Sequence, residues 1–205
     1  MPGDAIVDAV ARAYLDSGTD IPTTLRALVN HPDFETAVDV KTRTPAEDCI
    51  ATWRVLGMRP SMPTRPTDFA NHCVYQTVVA GQRPFAWPHP DGPPDVGDAW
   101  SSVSRMLGSW SLHYRTAGRW QPDTGVTFRT PESWLPPLPA TVAEVIDHVS
   151  GQFLCPPADS RLTSVVAGRI DLPASTQLRT FDDLRSWRLA RLLAAVLDTP
   201  EHMSR

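Results

Sequence analysis

The sequence predicts an all-α fold: an irregular array of about eight helices joined by long proline-rich connections. Three observations carry that prediction. Apolar residues recur at three- and four-residue spacing along nearly the whole chain. Two capping boxes, Thr44 with Glu47 and Thr141 with Glu144, stand just ahead of such stretches. The 21 prolines among 205 residues gather mostly between the periodic stretches, where a missing amide hydrogen does no harm. No convincing strand is found; residues 126 to 128 are too short to count.

Each element follows from its own pattern. Ile6, Val10, Ala13 and Tyr14 share one face, with Asp4 as candidate cap and Gly18 as stop. Leu25, Leu28 and Val29 make a short second helix behind Pro22, ended by Pro32. Thr44 to Glu47 opens a third, with proline at its first position. It carries Ile50, Trp53 and Leu56 on one face and closes at Gly57. Thr67 caps the next, which uses Phe69, Cys73 and Gln76 and ends at Gly81. Trp100, Val103, Leu107, Trp110 and Tyr114 follow the 3–4–3–4 spacing of a helix buried on one side. Thr141 opens a helix with Val142, Val145, Ile146, Val149 and Phe153 inward. Leu162, Val165, Val166 and Ile170 mark another. Thr180 caps the last, which buries Leu189, Leu192, Leu193 and Val196.

Two proline-rich breaks interrupt this pattern, residues 58–66 and 121–139. Trp134 and Leu135 make the second a packed connection, since free linkers rarely carry large apolar groups. One internal echo stands out. "LRALVNHPDF" at 25–34 and "LAAVLDTPEH" at 193–202 share an apolar helix end, a polar residue, one further position, then proline and an acid. The proline reads as a helix stop in both, and the pair as one local device used twice.

Composition excludes several classes. Hydrophobic content of 41% supports a packed core. A net charge of −4 argues against a general nucleic-acid binder. Lys41 is the one lysine among 19 basic residues, leaving little for Schiff-base chemistry. Cys49, Cys73 and Cys155 are odd in number and far apart, so they read as buried small hydrophobes rather than a disulfide frame or a zinc set. The first fifteen residues lack a basic leader and an uninterrupted apolar run, and no window is long enough to span a membrane. The compartment is open, with the cytoplasm as default.

The most unusual stretch is "GQRPFAWPHPDGPPD", residues 81–95. Gln82, Arg83, Trp87, His89 and Asp91 are its candidate binding residues. Arg83 suits an anionic group, Trp87 a sugar or ring face, and His89 with Asp91 a proton exchange. The structural alternative is an extended strap. Its prolines limit the entropy lost on ordering, and Phe85 and Trp87 plug holes between helices. Elsewhere Trp53, Trp100, Trp110 and Trp187 read as core, while Trp87, Trp120 and Trp134 are the candidate ligand-facing aromatics, with core plugs as their default reading.

Several chemistries leave no mark. His31, His72, His113, His148 and His202 are not at chelating spacing, so no metal site is predicted. Residues 108–112, "GSWSL", are not a nucleophile elbow. No GxGxxG or P-loop is present, and no cofactor is expected. The acidic pairs Glu47–Asp48 and Asp182–Asp183 sit near helix starts, where capping and the helix dipole explain them.

Four stretches, read in order, resemble the bacterial domain of unknown function 1800 family. They are "TLRALVNHPDF", "KTRTPAEDCIATWRVLGM", "GQRPFAWPHPDGPPDVGDAWSSVSRMLGSW" and the closing "LLAAVLDTPEHM". The family pattern runs "SPEF", then a "KxPxE" helix ending "ALG", then "GQxPFxxPxPDGWP". Pro93 stands where tryptophan is common. The resemblance covers most of the chain and is weakest from about 116 to 180. It implies an α-helical fold and supplies no established activity or catalytic residues. Family members are longer, so the chain is expected to be one helical domain, 1–205, corresponding to the C-terminal part of a longer family domain. Family genes often sit beside genes of a second family resembling the phosphatase–sulfatase superfamily, which implies a partner of that kind.

These readings predict a non-catalytic helical binding or scaffold module acting with a partner protein. One alternative is a hydrolase acting on an envelope or extracellular polymer through Arg83, Trp87, His89 and Asp91. Another is a truncated fragment without independent function, which would expose an apolar face.

Overall fold

The computed structural model describes residues 3–37, 41–94, 97–154 and 158–204. Among them run α1 (Asp4–Asp16), α2 (Ile21–Val29), α3 (Pro32–Glu35), α4 (Pro45–Val55), α5 (Phe69–Val79), α6 (Val103–Ala117), α7 (Val142–Phe153), α8 (Ser160–Arg169), α9 (Phe181–Leu184), α10 (Ser186–Leu197) and α11 (Pro200–Met203). Of these, α3, α9 and α11 are four-residue turns; the rest are the longer helices that the periodicity predicts. The fold is all-α. Extended pairing among the described residues is limited to two antiparallel ladders of two-residue strands and one isolated antiparallel bridge, Thr42 to Ser204. One ladder joins β1 (Arg59–Pro60) to β2 (Val126–Thr127), the other β3 (Ala140–Thr141) to β4 (Gln177–Leu178).

The chain divides into two compact units, Met1–Lys41 and Thr42–Arg205. In the first, α1 packs on α2. Gly3, not Asp4, takes the N-cap of α1, and Asp4 lies in its first turn. Ile6 is buried but Tyr14 is not. Gly18 ends the helix at φ +66°, a backbone region glycine enters without steric cost. Asp20 caps α2 by accepting from the Thr23 amide at 2.8 Å.

In the second unit α10 packs against α6, α7, α8, α9 and α11, while α4 packs against α5 and α6. Val142, Val145, Ile146 and Val149 of α7 are fully buried against Leu192, Leu193 and Val196 of α10 and Val166 and Ile170 at the end of α8, in one core. Both predicted capping boxes are present, at Thr44–Glu47 and Thr141–Glu144. Each satisfies amides that the first helical turn leaves without partners. Trp134 is buried, so residues 121–139 are a packed connection, and the Arg129 guanidinium lies 4.0 Å over its ring.

Several expectations are corrected. Asp68, not Thr67, is the N-cap of α5, and its side chain turns away from the helix. It accepts from the Thr64 and Arg65 amides at 2.7 and 2.9 Å, which folds the 58–66 connection back on itself. Those two bonds hold its carboxyl down to about 2. Thr180 caps the short α9, and α10 begins afresh at Ser186 behind Arg185, its N-cap at φ +59°. Trp110 and Trp187 face solvent rather than the core, as does Ile50 of α4. The buried thiol of Cys49 is pushed up to about 12, as expected of an inert core cysteine; Cys155 lies outside the described residues.

The largest correction concerns α6. The predicted inward face is outside: Val103 is 77%, Leu107 56% and Trp110 44% exposed. The buried face is Arg105, Ser109, Leu112, His113 and Thr116. These also follow helical spacing, but four of the five are polar, and hydrophobic periodicity reads past them.

The echoed segments do fold alike. In each, a long helix ends, one residue caps a four-residue helix, and the proline takes an early position in it: His31 before Pro32 in α3, Thr199 before Pro200 in α11. The proline starts the short helix as well as closing the long one.

Candidate functional site

Polar side chains from four helical segments meet inside the second unit. The Thr44 cap sets the register of α4 and turns Asp48 and Cys49 inward, one turn into the helix. The spacing of four residues from Arg105 to Ser109 to His113 puts all three on one face of α6. The end of α10 supplies Asp198, and the one-turn α11 supplies His202.

The geometry is tight. Ser109 Oγ donates to Asp48 Oδ2 at 2.5 Å. His113 bridges two carboxylates, with Nε2 3.1 Å from Asp48 Oδ1 and Nδ1 2.7 Å from Asp198 Oδ1. Ionised carboxylates only accept, so both ring nitrogens carry protons and the ring is an imidazolium. Burial opposes that charge, but the bonds and charges of Asp198 and Asp48 outweigh it, and the pKa is pushed up to about 9. Burial likewise pushes the Asp48 carboxyl upward, and the His113 and Ser109 bonds more than reverse it, leaving it below its ordinary value. Arg105 stands near and donates from Nη2 to the Arg43 carbonyl at 2.7 Å.

His202 is the exception. It is 2% exposed and packs edge-on to the His113 ring, with centroids 5.7 Å apart. Neither of its ring nitrogens has a hydrogen-bond partner among the described residues. An unpaired buried polar atom costs about 1–3 kcal/mol. Burial first, then the charge of His113, push its pKa down to about 4. The ring is therefore neutral at pH 7, with a lone pair free in the interior.

Asp198 links this interior to the outside. Its side chain is 34% exposed, and it lines a cavity of about 490 Å³ together with Leu162, Arg169, Asp171, Arg191 and Glu201. The arrangement can hold a proton on His113 and fasten α4, α6 and α10 through it. Ser109 bonds to Asp48 and not to the histidine, so these residues do not form a serine nucleophile with its base.

The residues singled out from the sequence lie elsewhere. Gln82 is half-buried, and its side-chain oxygen accepts from the Ala46 amide at 2.9 Å, tying the start of the loop to the first turn of α4. Arg83, Trp87, His89 and Asp91 are exposed. Trp87 lies near His89 and Trp100, with ring centroids 6.2 and 6.4 Å apart. No hydrogen bond or ion pair joins Arg83, His89 and Asp91 among the described residues. Phe85, expected as a plug, is fully exposed at φ +58°.

A helical array built on these motifs matches the family model described as "Protein of unknown function (DUF1800)" over residues 1–204. The chain belongs to that family. No curated protein and no solved structure matches it.

Proposed function

We propose that the chain is a non-catalytic helical binding module, the C-terminal part of a longer family domain, that acts by docking a partner protein. The observation that carries this reading is the loop at 82–91. It is anchored at Gln82 and presents Phe85 and Trp87 to solvent. Large aromatics held outward bury a great deal of area once a partner arrives, and Phe85 is held there at a φ that residues with a β-carbon rarely adopt. Exposed Val103, Leu107 and Trp110 on α6 add further apolar surface to the same unit. The partner expected is the phosphatase–sulfatase-like protein encoded beside family genes.

The test is to co-express the chain with such a neighbour and measure the complex by light scattering after size exclusion, then by titration calorimetry. Phe85→Ser with Trp87→Ser should weaken binding at least about 100-fold, in line with loss of two aromatic anchors. Unchanged affinity in the double variant would remove the loop from the interface. Absence of any complex would remove this partner.

A further inference from the structure

We infer that Asp48, His113 and His202 form a buried site for a single divalent transition-metal ion, with zinc as the ion it fits. One ligand atom from each residue lies within 4.8 Å of the other two. A carboxylate and two imidazoles are the donor set that Zn²⁺ and its neighbours take. In a tetrahedral site with bonds of about 2.0–2.1 Å, ligand atoms stand about 3.3 Å apart. His113 Nε2 and Asp48 Oδ1 are already 3.1 Å apart, so the ion enters between them with little movement. His202 closes the remaining gap by a side-chain adjustment.

The second observation is independent of that proximity. His202 is buried with both nitrogens unpartnered, which native interiors seldom tolerate without a reason. A metal ion supplies a partner for one of the two, the nitrogen that carries the lone pair. The outer arrangement fits as well. Asp198 accepts from His113 Nδ1 at 2.7 Å, the carboxylate contact that fixes a ligating histidine's tautomer and leaves Nε2 for the metal. Ser109 donates to the second oxygen of Asp48 at 2.5 Å and leaves Oδ1 for the ion. On binding, the ion replaces the proton on His113 Nε2, which leaves to solvent. The ion's two positive charges are then balanced by Asp48 and Asp198.

The experiment uses the 205-residue chain, stripped with a chelator and titrated with Zn²⁺ and separately with Co²⁺. One Zn²⁺ per chain, a melting temperature raised by about 5–10 °C at saturation, and the visible spectrum of tetrahedral Co²⁺ are expected. His202→Leu fills the same space without a ligand atom and should melt cooperatively with no response to Zn²⁺. Should that variant fail to fold, Asp48→Asn decides the matter, since it keeps the shape and removes the anionic ligand. A wild-type melt indifferent to Zn²⁺ with no Co²⁺ spectrum overturns the site. So does a variant, His202→Leu or Asp48→Asn, that responds to Zn²⁺ as the wild type does.

Discussion

His113 holds its proton between two carboxylates, and His202 beside it resists gaining one. In the metal-free chain the two make opposite demands on pH. His113 has a folded pKa of about 9 against an ordinary 6.5. Its contribution is complete below pH 6.5 and is lost as pH rises from there through 9. The full difference is worth about 3 kcal/mol. His202 has a folded pKa of about 4 against 6.5. Its contribution is complete above pH 6.5 and is lost as pH falls toward 4. Asp48, Asp198, Arg43 and Arg105 are the charged groups around the pair. Unfolding free energy from urea melts between pH 4 and 9.5 should therefore peak near pH 6.5–7. His202→Leu should flatten the acid limb alone. Constant stability from pH 7 to 9 would mean that His113 is not the charged bridge.

At the scale of the helix, α6 shows how two faces compete. Leu112→Ala on its buried face should cost about 2–5 kcal/mol in a urea melt. Leu107→Ser, on the apolar but exposed face, should change stability by less than about 0.5 kcal/mol. If Leu107→Ser is the costlier change, the helix is turned the other way. The same helix marks the limit of what could be read from the residues. Periodicity placed α7 and α10 well, because their inward positions are aliphatic and nothing polar competes for the core. It placed the capping boxes because those signals are local. It turned α6 the wrong way because the face that packs carries Arg105, Ser109, His113 and Thr116. Arg105, Ser109 and His113 are held there by long-range partners, and a local pattern cannot see partners. His113 and Asp48 are 65 residues apart in sequence, so no motif window joins them. Two hints existed: the spacing of four from Arg105 through Ser109 to His113, and a histidine at 202 where the first echo has Phe34. The 82–91 loop was legible as unusual, since prolines and aromatics are visible in any reading. Whether it faced in or out depended on packing.

Across the whole molecule, the main core is drawn from residues between Cys49 and Leu197, all in the second unit. A chain lacking residues 1–41 should therefore keep a cooperative far-UV circular dichroism melt, with its midpoint within about 5 °C of the parent. A broad, shallow melt would mean that the first unit is required for the second to hold together. Among the described residues no helix is long and apolar enough to cross a membrane.

The second echo ends in the polar cluster, and this bears on how the nascent chain folds. Asp48 leaves the ribosome before Ser109 and His113, and these before Asp198 and His202. Until the last two emerge, α4 and α6 carry buried-type polar groups on a face that water still reaches. The Arg43 side chain and amide then bond to the His202 and Met203 carbonyls, joining the start of this unit to its last turn. Synthesis thus delivers Asp198 and His202 after the residues that they pack against. A chain interrupted before residue 198 lacks Asp198 and His202, so His113 is left with one of its two carboxylates.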